Sequence, residues 1–139
     1  MRVLLDTSAL IHYLLRPGAA IRQIIEQLWL ADEITVVSSP ELMGELANVL
    51  ARPSIGNYIQ PDEGQALLDV LYAKAEMLPP LGEIPVFTRD PKDDKFIAHA
   101  VAGQVDFVIT LDKDILTLEK VREIEMVTPF EFVKRWSGG

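Results

Sequence analysis

A chain of 139 residues, 49% hydrophobic, 24% charged and without cysteine, has the composition of a folded globule, and its length predicts one domain over residues 1–139. The missing cysteines exclude disulfides, thiol nucleophiles and cysteine-ligated metal centres. A formal charge of −8 argues against gripping nucleic acid through a broad basic face, although acidic groups gathered on metal ions, or a basic partner protein, would cancel part of that charge.

Val3 to Leu5 reads as a buried strand, and Ala9-Leu10 and Tyr13-Leu14 continue at helical spacing until Arg16-Pro17-Gly18 breaks the pattern. Ile21, Ile24, Ile25, Leu28 and Trp29 mark a second helix, and Ile34 to Val37 a second strand. Ser39 as N-cap and Pro40 as first helical residue open a helix to about Leu50, ended by Arg52-Pro53. A helix over about Pro61 to Met77 follows, closed by Pro79-Pro80, then a short strand around Ile84 to Phe87. The polar run Arg89 to Lys95 leads into an apolar helix through about Ala102, and Phe107 to Thr110 is the next strand. Asp114 is a candidate cap for a short helix at Ile115 to Leu118, Ile124 to Val127 makes the last strand, and Thr128-Pro129 starts a terminal helix.

No run reaches the roughly 20 apolar residues of a membrane span, and Arg2 followed by Asp6 leaves no room for a secretory segment, which predicts a soluble cytoplasmic protein. Strands alternating with helices predict an α/β fold, a three-layer α/β/α sandwich on a parallel sheet of four or five strands. Its switch point falls beside the first strand, where Asp6 emerges, and open parallel sheets bind ligands at such a crevice.

The acidic residues at these junctions each have an ordinary structural role open to them. Asp6 and Asp90 suit N-caps, Glu41 suits the positive end of a helix dipole, and Asp112 suits a turn. Glu45 projects instead from mid-helix at the border of the apolar stripe, and Asp93 and Asp94 both lie toward the apolar side, where helical spacing does not separate them. His12 and His99 read as surface or partly buried residues without a role. Taken together, Asp6, Glu45, Asp94 and Asp112 fall near one edge of the sheet. At about 5 Å apart, each carboxylate pair would repel by roughly 3 kcal/mol at an effective dielectric of 20. A cation must therefore sit among them, and an all-oxygen donor set favours Mg²⁺ or Mn²⁺ and phosphate chemistry.

At these residues the chain resembles the PIN domains of bacterial and archaeal toxin–antitoxin pairs, the VapC-like ribonucleases. Leu4-Leu5-Asp6-Thr7-Ser8-Ala9 resembles the opening motif, and Ser39-Pro40-Glu41-Leu42-Met43-Gly44-Glu45-Leu46 the second. Arg89-Asp90-Pro91-Lys92-Asp93-Asp94-Lys95-Phe96 resembles the third, and Asp106-Phe107-Val108-Ile109-Thr110-Leu111-Asp112 the fourth, with Leu111 where Gly is frequent. The resemblance implies metal-dependent endonucleolytic cleavage of RNA by Asp6, Glu45, Asp94 and Asp112, which hold the metal, with Ser8, Asp93, Thr110 and Asp114 in support. It implies a cognate antitoxin and a homodimer as well. Arg52, Arg89, Lys92, Lys95 and Lys113 are the cations nearest the motifs and candidate RNA contacts. The contrasting reading is a non-catalytic PIN-like module that binds a metal or a partner.

Overall fold

Alternation along the first strand sets the architecture: Val3 and Leu5 enter one apolar cluster with Ile24, Trp29, Leu46, Leu71 and Phe132, while Leu4 enters another with Val37, Phe96, Ile97, Val108 and Met126. Successive side chains of a strand point to opposite faces, so a strand apolar at every position must be covered on both sides. The computed structural model describes residues 1–15, 18–85, 87 and 90–137. Its sheet has six strands in the order β3-β2-β1-β4-β6-β5. These are β1 (Arg2–Leu5), β2 (Thr35–Ser38), β3 (Glu76–Met77), β4 (Phe107–Ile109), β5 (Lys120–Val121) and β6 (Ile124–Val127). All neighbours are parallel except β5 and β6, and Leu4 sits between Val37 and Val108. The chain runs outward from β1 to β2 and β3, then returns to β4 on the other side, so the predicted switch point lies between β1 and β4.

The helices are α1 (Thr7–Leu15), α2 (Ala19–Arg22), α3 (Pro40–Leu50), α4 (Pro53–Gly56), α5 (Pro61–Lys74), α6 (Pro91–Ala102), α7 (Lys113–Leu116) and α8 (Pro129–Ser137). A π-helical stretch over Gln23–Trp29 continues α2. Apolar residues of α1, α2, α5 and α8 join the cluster containing Val3, and those of α6 and α7 the cluster containing Leu4. Helix α3 sits astride the two layers, with Leu46 in the first cluster and Leu42 in the second. Among the described residues no helix is long and apolar enough to cross a membrane.

The sheet departs from the sequence expectation at both edges. Helix α5 stops at Lys74, and Glu76–Met77, expected as its last turn, pairs with Val37 and Ser38. The Glu76 carboxylate there receives the Arg2 guanidinium from the end of β1, an attraction that helical periodicity cannot register. At the other edge Lys120–Val121 folds back on β6 through Arg122, whose φ of 54° makes the tight reversal. Strands of two residues carry no alternation to read. Ile84, Pro85 and Phe87 form no strand, and Val86, the fourth residue of that expectation, lies outside the described set.

Two glycines show where the packing is tight and where it is open. A Cβ on Gly103 would stand 2.8 Å from the Cγ1 of buried Val37 and 3.1 Å from the His99 carbonyl oxygen, whereas one on Gly44, exposed in α3, would meet nothing within 4 Å. Opposite signs are therefore expected in urea unfolding. Gly103→Ala should destabilise by about 1–3 kcal/mol through overpacking, and Gly44→Ala should stabilise by about 0.5–1 kcal/mol through helix propensity.

Candidate metal centre

Asp6 follows β1 directly, in a buried position. Its N–H donates to Ile109 O at 3.2 Å as the last rung against β4, and the chain then enters α1. Its Oδ1 accepts from Ala9 N at 3.0 Å, which caps the helix, and from Ser8 Oγ at 2.7 Å; Oδ2 accepts from the Thr110 hydroxyl. The capping role is real, and it leaves the side chain inside the protein at 2% exposure. Burial pushes the Asp6 carboxyl up to about 6; hydrogen bonds from Thr110, Ser8 and Ala9 pull it down, and the charge of Asp112 adds to the rise. The two hydroxyls also accept. Ser8 Oγ takes Leu111 N–H at 3.0 Å and Thr110 Oγ1 takes Asp112 N–H at 2.9 Å, so Asp6 is wired into the loop after β4.

That loop carries the next carboxylates. Asp112 caps α7, its Oδ1 accepting from Asp114 N at 2.8 Å, so the cap is Asp112 and not Asp114, and the helix starts two residues earlier than expected. From the same layer as α7, Asp93 enters in the first turn of α6. One oxygen each from Asp93, Asp112 and Asp114 lie within 4.8 Å of one another, a group able to hold a metal ion. Asp93 is buried, and burial raises its carboxyl to about 6, helped by the charges of Asp112, Asp90, Asp114 and Asp6. Of the two adjacent carboxylates, Asp93 joins this group, while Asp94 accepts the Phe87 N–H at 2.8 Å.

Glu45, mid-way along α3, lies outside the group of three and is half-buried. Its Oε2, like Asp93 Oδ2 and Thr7 Oγ1, is buried without a hydrogen-bond partner among the described residues. Orphaned carboxylate oxygens are costly in a folded protein, and a hard divalent cation is the partner that an all-oxygen set fits. Among the candidate cations, Lys113 is exposed between Asp112 and Asp114, and Lys95 pairs with Glu41 at 3.8 Å. Arg52 is exposed beyond the far end of α3, about 16 Å from its start. Arg89 and the side chain of Lys92 lie outside the described residues. His99, read from the sequence as a surface or partly buried residue, is 1% exposed.

Fold and site together define an α/β/α protein with a carboxylate cluster at the switch point of its sheet. The chain belongs to the PIN domain family, whose pattern it matches over residues 2–114. That range spans every carboxylate of the site. A solved chain of similar fold comes from the crystal structure of VapBC2 of Rickettsia felis bound to a DNA fragment from their promoter, with a TM-score of 0.57 and 14% identity over 91% of this chain and 97% of that one. No curated protein matches the chain by sequence.

The raised carboxyls have a thermodynamic consequence with a definite sign. An Asp held at about 6 when folded and near 3.9 when unfolded stabilises the fold below about pH 4 and loses that contribution as the pH rises through 6. In EDTA, Asp93→Asn should therefore gain on wild type as the pH is raised. The difference in Tm between variant and wild type should widen in the variant's favour by roughly 3 °C or more between pH 4.5 and 7.5. A difference independent of pH would contradict this origin of the shift.

Proposed function

We propose that the chain is a divalent-metal-dependent endoribonuclease, using Mg²⁺ or Mn²⁺, and the toxin of a toxin–antitoxin pair. The observation that carries this reading is the convergence of Asp93, Asp112 and Asp114 within 4.8 Å beside buried Asp6, inside the segment that matches the PIN domain. In this reading Asp93, Asp112 and Asp114 hold the cation, with Asp6 and Glu45 completing the acidic wall. Bound there, a divalent ion supplies Lewis acidity to a phosphodiester and lowers the pKa of water.

The remaining tasks fall to the chain's own groups. Thr110 and Ser8 hold both Asp6 oxygens and, through Leu111 N–H and Asp112 N–H, keep the loop of Asp112 and Asp114 against them. Asp94 accepts from the backbone N–H of Phe87, a tie between α6 and that residue. Lys113, exposed between two of the carboxylates, is placed to meet a substrate phosphate. In a protein of charge −8, this local cation and the metal make the electrostatic case for an RNA substrate. The antitoxin and the homodimer belong to the same reading: the similar fold in a VapBC2 complex supports a protein partner.

Purified protein incubated with end-labelled single-stranded RNAs should cut them in Mn²⁺ and not in EDTA. Asp112→Asn and Asp93→Asn should each lower the rate by roughly 100-fold or more. Metal binding without cleavage by folded protein on every RNA would instead support a non-catalytic PIN module.

A further inference from the structure

His99 lies on α6, six residues beyond Asp93, and is wholly buried. Its ring nitrogens have two different neighbours. Nδ1 is 2.7 Å from the Lys95 carbonyl oxygen, which only accepts, so Nδ1 carries the hydrogen. Nε2, 2.9 Å from Ser39 Oγ, is then the acceptor and the Ser39 hydroxyl the donor. Ser39 Oγ accepts in turn from Leu42 N at 3.1 Å, as the N-cap of α3. Each donor in this chain has one acceptor, running from Leu42 through Ser39 and His99 to Lys95. A leucine at position 99 would fill similar space and leave the buried Ser39 hydroxyl without that acceptor, so packing alone does not account for an imidazole here.

The chain of hydrogen bonds ties the start of α3 to the body of α6. Another polar link between these helices, Lys95 to Glu41 at 3.8 Å, is 34% and 46% exposed and is screened by water. The same two helices carry Glu45 and Asp93, whose orphaned buried oxygens fit a cation. Glu45 lies six residues beyond Ser39 and Asp93 six residues before His99, about 9 Å of helix in each case, so a shift at the tie would be felt at both carboxylates.

We propose that His99 is a positioning residue for the metal centre: its ring, hydrogen-bonded to Ser39, clamps α3 to α6 and fixes the seat of α6, and with it the place of Asp93 in the group it forms with Asp112 and Asp114. The proposal rests on the reading of the acidic cluster as a cation site. Outer partners that orient metal-binding groups typically change affinity by 10–100-fold when removed.

The test is Mn²⁺ affinity of the metal-free full chain, followed by the electron paramagnetic resonance signal of free Mn²⁺, with circular dichroism to establish folding. His99→Leu should weaken binding about tenfold or more. His99→Gln, whose Oε1 can accept from Ser39, should stay within about threefold of wild type. Ser39→Ala removes the tie from the other end, should weaken binding to the same degree, and remains informative if His99→Leu does not fold. The double variant Ser39→Ala/His99→Leu should bind no more weakly than either single one, because both break one link. Equal affinity in wild type, His99→Leu and Ser39→Ala, or full additivity of the two, would overturn the role of His99 and leave the cation site standing. A wild-type chain that takes up no Mn²⁺ would overturn the cation site itself, and this proposal with it.

Discussion

A carboxylate buried at the end of the central strand is the constraint on which the rest of this structure depends. Desolvation alone would make an ionised Asp6 untenable. Three donors, from Ala9, Ser8 and Thr110, return part of that cost, yet its carboxyl still sits near 6, so burial outweighs the hydrogen bonds. The same donors bind the structure together. Ala9 starts α1, while Ser8 and Thr110 fasten the loop after β4, and with it the carboxylates of Asp112 and Asp114.

The architecture concentrates charge where backbone dipoles favour it. Asp93 and Asp114 lie in the first turns of α6 and α7, where the helix dipole favours negative charge, and Asp6 and Asp112 cap their helices. Structural and functional roles therefore do not compete at these residues. An aspartate that caps a helix at the carboxyl end of a parallel strand is already aimed at the crevice where such sheets bind ligands. What capping does not supply is a partner for Asp93 Oδ2 and Glu45 Oε2, and that deficit is the strongest internal argument for a cation.

Much of this was legible in the amino-acid order. The unbroken apolar run at Val3 to Leu5 announces a strand covered on both faces, and Ser39-Pro40 announces the start of α3. The placement of Asp6 at a switch point followed from topology rules applied to strands alternating with helices. The π-helical turn of Gln23–Trp29 was not legible, because its apolar spacing reads as an ordinary helix. Nor were the two-residue edge strands, which owe their existence to pairing partners far along the chain.

The division is sharpest at the site. Local sequence determined that carboxylates would stand at the starts of α1, α6 and α7, because caps, first-turn prolines and apolar periodicity are short-range features. It could not say which of Asp93 and Asp94 joins Asp112 and Asp114, since the two differ by about 100° around the helix and both flank its apolar side. Nor could it pair His99 with Ser39, 60 residues away. Those choices were made only when α6 packed against the sheet and met the start of α3, because the orientation of a side chain in a core is set by the shape and polarity of what it packs against, and that surface comes from distant parts of the chain.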